Sequence, residues 1–120
     1  MRIRKPTDCP EFTAGDNTLL RELLHPDREY EFDARYSLAY ATVAPGTRST
    51  AHKLAADEVY YILSGSGIMH IDDEAAAVSP GDAIEIPPDA SQWIENRGGE
   101  PLVFLCIVDP AWRGGDETIL

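Results

Sequence analysis

The chain is short of basic residues: ten Lys and Arg stand against 21 Asp and Glu, a formal net charge of −11 at pH 7. That balance speaks against nucleic acid and anionic membrane surfaces as partners, because both need clustered cations to displace counterions. Cysteine is scarce, and Cys9 and Cys106 are too few for a disulfide-rich scaffold. Long apolar runs are missing as well. The longest, residues 102–108, has seven members, against the roughly 20 that a membrane span needs. Residues 1–6 are basic, but no apolar stretch follows them, so a secretory leader is not expected. There is no Gly-rich phosphate loop, dinucleotide fingerprint or nucleophile motif. What is present is 120 residues, 43% of them hydrophobic, which reads as one globular domain, soluble and cytoplasmic.

Turn residues divide the chain at short intervals: Pro45-Gly46, Ser64-Gly65-Ser66-Gly67, Ser79-Pro80-Gly81, Pro87-Pro88-Asp89 and Arg97-Gly98-Gly99. The pieces between them, 36–43, 58–63, 67–72, 83–86, 91–95 and 102–108, are too short for typical helices and mostly carry aromatic or β-branched residues. Period-two alternation places Met69 and Ile71 on one face of a strand and His70 and Asp72 on the other. Many short strands at close spacing imply an all-β sandwich or barrel. One segment stays open on pattern alone. Leu19, Leu20, Leu23 and Leu24 behind Asp16-Asn17-Thr18, a candidate cap, suit a short amphipathic helix as well as a strand. Residues 1–16 and 109–120 show no periodicity and are expected to wrap the outside.

Ten positions at fixed spacing then carry a resemblance. In the first motif of the cupins, G-x5-H-x-H-x3,4-E-x6-G, this chain has Gly46, His52, Glu58 and Gly65, with Leu54 where the second histidine belongs. In the second, G-x5-P-x-G-x2-H-x3-N, it has Gly81, Pro87 and Asn96, with Asp89 for the glycine and Gln92 for the histidine. The sequence resembles the small single-domain prokaryotic cupins, whose motifs are similarly close together. The resemblance implies a double-stranded β-helix (jelly-roll) barrel. It assigns residues 1–35 to a segment packing on the barrel or a dimer partner, 36–108 to the barrel core and 109–120 to a tail. It also implies a homodimer.

By position, the resemblance brings His52, Leu54, Glu58 and Gln92 to one cluster inside the barrel. His52, Glu58 and Gln92 would hold a divalent metal ion (Mn, Fe, Ni or Zn), more weakly than the usual three histidines, because an amide oxygen is a poorer donor. Glu58 would serve as a general base if it is not a ligand, burial beside Leu54 raising its pKa. Leu54 points to a partly apolar pocket. Tyr60 shares Glu58's parity, and Tyr40, with Tyr36, is a candidate on a facing strand. Phe104 and Cys106 share a face of the last strand with Val108, so they line the pocket together or not at all, and a buried structural thiol is the alternative for Cys106. Asn96 is expected to hold a turn, Trp93 to pack against an interface or the termini, and His70 to lie outside. His25 reads as a turn residue and Arg48 as a solvated loop charge. Two functions follow: a metal-dependent enzyme acting on a small polar metabolite, or a cupin that binds a small molecule without metal and without converting it.

Overall fold

The computed structural model describes all 120 residues. Eleven strands form in chain order: β1 (Glu11–Thr13), β2 (Leu19–Leu24), β3 (Ser37–Val43), β4 (His52–Leu54), β5 (Asp57–Ser64), β6 (Gly67–Ile71), β7 (Glu74–Val78), β8 (Ala83–Ile86), β9 (Gln92–Glu95), β10 (Leu102–Asp109) and β11 (Glu117–Ile119). They pair antiparallel throughout, in a six-stranded sheet ordered β1-β2-β3-β10-β5-β8 and a five-stranded sheet ordered β11-β4-β9-β6-β7. The fold is all-β, the cupin-type jelly-roll barrel that the motif spacing implies. No helix is long and apolar enough to cross a membrane.

The undecided leucine segment is a strand. Leu19–Leu24 pairs with β3 from Leu19 opposite Thr42 to Leu24 opposite Leu38, with a register shift between Glu22 and Leu24. A long-range partner decided between two patterns that the local sequence served equally. Asp16 is accordingly not a helix cap. Its Oδ1 accepts from the Thr18 amide (3.1 Å) and hydroxyl (2.7 Å), fastening a turn in which Asn17 has φ 72°. The chain ends take part in the sheets as well: β1 extends the larger one, and β11 pairs with β4.

The inward residues interdigitate into a main core of eleven side chains, among them the fully buried Ile62, Ile94, Leu102 and Phe104, with Leu54, Ala56 and Val108 forming a second, smaller cluster. The motif glycines Gly46, Gly65 and Gly81 all have positive φ. At Gly65, φ +79°, a Cβ would also stand 2.3 Å from the Pro101 carbonyl oxygen, so both conformation and space demand glycine. Asn96 does hold a turn: its Nδ2 donates to the carbonyls of Val43 (3.0 Å) and Glu100 (2.7 Å), and its Oδ1 accepts from the Gly98 amide.

Some placements differ from expectation. Within the chain, Trp93 does not pack against the termini. It stacks on His70, centroids 3.4 Å apart, with the Arg48 guanidinium 4.4 Å from its ring centre. Arg48 is an exposed loop charge, as expected, and in addition makes this cation–π contact. His70 is on the opposite face from buried Met69, its Nε2 3.0 Å from Glu95. His25 lies in a turn but is fully buried: Nδ1 accepts from the Asp27 amide, so Nε2 carries the proton donated to the Trp112 carbonyl at 2.7 Å.

Candidate functional site

The core does not fill the barrel from end to end. Beyond Tyr60 and Phe104, whose rings lie 4.4 Å apart, a cavity of about 270 Å³ opens between the sheets. Its walls are formed in part by Leu20, Leu54, Phe104, Cys106, Val108 and Trp112, and its polar groups include Asp16, His52, Glu58 and Glu117. His52, Leu54, Glu58, Tyr60, Phe104 and Cys106 therefore border one space. Tyr40 does not. On β3 it is Ser37, Ala39 and Ala41 that turn inward, and Tyr40 stands on the opposite face in a row with Leu105 and Tyr61. The parity of β3 relative to its neighbours is set by pairing, which linear spacing does not reveal.

Glu58 is 7% exposed. Its Oε1 accepts from the Gln92 amide nitrogen at 2.8 Å, and the Gln92 carbonyl accepts from the Tyr60 hydroxyl at 3.1 Å. Strand pairing brings this chain together: Tyr60 and Glu58 are successive inward residues of β5, and Gln92 faces His52 across β9 and β4. The carboxyl is pushed up to about 7 from its ordinary 4.5, first by burial, with the charges of Asp16 and Glu117 adding and the Gln92 hydrogen bond opposing. Burial and the adjacent Glu58 likewise raise the Tyr60 hydroxyl and the Cys106 thiol well above their usual values. Cys106 is thus a cavity-wall thiol kept protonated, with little nucleophilic character.

His52, 4% exposed, donates from Nδ1 to the Thr50 carbonyl at 2.8 Å. Its Nε2 faces Asp16 Oδ2 at 3.6 Å, beyond hydrogen-bond reach. Asp16 and Glu117 were not legible as site residues, since neither belongs to a motif. The Asp-x-Thr turn is a local signal for Asp16's backbone role only. Glu117 arrives because β11 pairs with β4, Glu117 opposite Leu54. Its carboxyl is raised by burial and then by Asp16, and it packs against Gly15, where a Cβ would stand 3.6 Å from Glu117 Oε2.

The side chains present do not fit a resident divalent ion as the resemblance assigns it. The Gln92 carbonyl is turned to Tyr60 and its NH₂ to Glu58, so the amide braces the carboxyl and aims no acceptor at a shared point with His52. Leu54 fills the place of the second histidine. No three His, Cys, Asp or Glu side chains converge as a ligand group.

Residues 39–108 match the family model described as a cupin domain, and the chain belongs to the cupin family. It is 42% identical over 110 residues, 91% of this chain and 86% of the other, to an uncharacterised protein of Methanocaldococcus jannaschii. An oxalate-binding protein of Thermotoga maritima is 34% identical over 65 residues, about half the length of each chain (53% and 54%). Among solved structures, a Cupin 2 conserved barrel domain protein from Salinispora arenicola superimposes with a TM-score of 0.78 at 20% identity, covering 96% of this chain and 91% of the other. At that identity the likeness shows the fold alone.

Proposed function

We propose that this cupin takes a small molecule into the open end of its barrel and exchanges a proton with it at Glu58. One side chain carries the reading. The Glu58 carboxyl is buried at the wall of the cavity, with one oxygen held by the Gln92–Tyr60 chain and the other without a hydrogen-bond partner in the protein. A carboxyl poised at about 7 both accepts and donates a proton near neutral pH, which suits general acid–base chemistry such as isomerisation or elimination. Gln92 holds the carboxyl in orientation and Tyr60 holds Gln92.

The test is a thermal-shift screen of small metabolites in the presence of EDTA, followed by Glu58→Gln. The expected result is a ligand that raises the melting temperature with chelator present and whose turnover is lost in the variant even at ligand concentrations that saturate its weakened binding. Turnover retained by Glu58→Gln would reduce the site to a binding pocket, and a shift that vanishes with EDTA would overturn the metal-free chemistry.

A second reading is a divalent ion on His52 with Glu58 and Gln92. It is favoured by one observation: the Thr50 carbonyl takes the Nδ1 proton, which leaves Nε2 as the free nitrogen, the arrangement common in metal-bound histidine. It requires the Gln92 amide to leave Tyr60 and Glu58. Elemental analysis of protein prepared without added metal or chelator decides: stoichiometric Mn, Fe, Ni or Zn, lost in His52→Ala, would put this reading first.

A further inference from the structure

We propose that the cavity selects a small organic cation, an amine on an apolar body. This inference rests on the cavity being a small-molecule site, and it names the class of molecule.

The argument begins with charge. Asp16, Glu58 and Glu117 come from three separate parts of the chain, the turn before β2, strand β5 and strand β11, and border the same space. Arg28 also borders it, but its guanidinium is held by both carboxylate oxygens of Glu22, at 2.5 and 2.9 Å. The one other basic group is His52, placed beside Asp16. Acid therefore outnumbers base in a space whose remaining walls are largely apolar. Like charges in such surroundings repel one another and lose hydration, and a cation entering among them relieves both costs.

The second observation concerns acceptors. Glu58 Oε2 has no hydrogen-bond partner in the chain and opens onto the cavity, since no fully buried side-chain oxygen lacks a partner, and Asp16 Oδ2 has only the His52 nitrogen at 3.6 Å. Once it has lost its proton above about 7, Glu58 offers acceptors only, and an ammonium group brings three N–H donors. A carboxylate ligand would bring more acceptors and the same sign of charge, so the pocket disfavours oxalate-like anions.

The body of the ligand follows from the rest of the wall. Leu20, Leu54, Phe104, Val108 and Trp112 offer aliphatic and aromatic surface, with about 270 Å³ to fill. That is room for an organic group and far more than a bare ion occupies. Aromatic faces add attraction for an adjacent cation.

The test is calorimetry at pH 8 with EDTA, using primary amines from methylammonium to phenethylamine, together with 2-phenylethanol and phenylacetate as neutral and anionic counterparts. Phenethylamine is expected to bind at least about tenfold more tightly than the alcohol, the worth of one charge-assisted contact, and phenylacetate more weakly than either. Glu117→Gln and Asp16→Asn should each weaken the amine about tenfold and leave the alcohol unchanged, while Asp73→Asn on the exposed β6–β7 turn changes neither. Should Asp16→Asn unfold, because Asp16 also fastens Thr18, Glu117→Gln carries the test. Equal binding of alcohol and amine, tighter binding of phenylacetate, no binding by any amine, or an amine affinity indifferent to Glu117 would overturn the inference. A neutral or anionic metabolite found in the thermal-shift screen would overturn it too, yet leave the cavity as a small-molecule site. Silence from every compound in both experiments would sink the two together.

Discussion

The two ends of the barrel are built from the same strands and do opposite things. Inward side chains on β5 run Glu58, Tyr60, Ile62, and those on β9 run Gln92, Ile94. On β10 they run Val108, Cys106, Phe104, Leu102, and on β3 Ser37, Ala39, Ala41, Val43. At one end large apolar groups lie beside small ones, Phe104 between Ile62 and Ala41, all within the buried core. At the other, polar or small residues of β3, β4, β5 and β9 (Ser37, Ala39, His52, Glu58 and Gln92) fall in step, and a hollow with apolar walls opens beside them. Antiparallel register thus sorts the chain into a packed half and a hollow half, and the boundary is the tilted Tyr60–Phe104 pair.

The contrast is sharpest in a matched pair of truncations. Ile94→Ala empties a fully packed site and should cost roughly 2–5 kcal/mol, whereas Cys106→Ala, at a wall that already borders open space, should cost only about 1 kcal/mol. Urea unfolding of both variants checks the pair, and equal losses would erase the distinction between the ends.

Next in size is a pH effect confined to the hollow end. The folded protein holds the Glu58 proton more tightly than the unfolded chain does, so this group's contribution is complete below about pH 4.5 and is lost as pH rises through about 7. The interval between 4.5 and about 7 corresponds to on the order of 3 kcal/mol. Glu117 pushes in the same direction, while the lowered carboxyls of Asp27 and Glu95 act at more acid pH. Glu58→Gln should flatten most of the fall between pH 5 and pH 8, and a variant with the original slope would remove Glu58 as its source.

The smallest effect concerns Asp89, which stands where the family motif has glycine and has φ 64°. Its amide donates to the Leu54 carbonyl at 2.8 Å, pinning the turn before β9 to the hollow end. Asp89→Gly should gain about 0.5 kcal/mol, a left-handed penalty of roughly 1–2 kcal/mol being partly offset by the entropy of glycine. A thermal melt reads it, and a loss would mean that the Asp89 side chain supports the turn in its own right.

The barrel was legible because its signals are local. Turn residues at short intervals and alternating faces place six of the eleven strands within a residue or two, and the motif spacing supplies their assembly. Four strands escaped. Three-residue β1, β4 and β11 are too short to show a period, and alanine-rich β7 has too little contrast between its faces. Leu19–Leu24 needed β3 beside it before helix or strand was decided. At the site, His52, Glu58 and Gln92 could be placed by motif, but not the hydrogen bonds that turn Gln92 toward Glu58 and Tyr60. Tyr40 was misassigned because which face of β3 points inward depends on its partners. Asp16 and Glu117 are adjacent only in three dimensions.

Those last two residues lie outside the 39–108 stretch by which the family is recognised. If the cavity discriminates among ligands as proposed, part of that selectivity comes from the flanking chain and part from His52, Leu54 and Glu58 within the shared stretch. Two cupins alike through the shared stretch could therefore accept different guests, and exchanging only the flanks would be the direct way to retune one into the other.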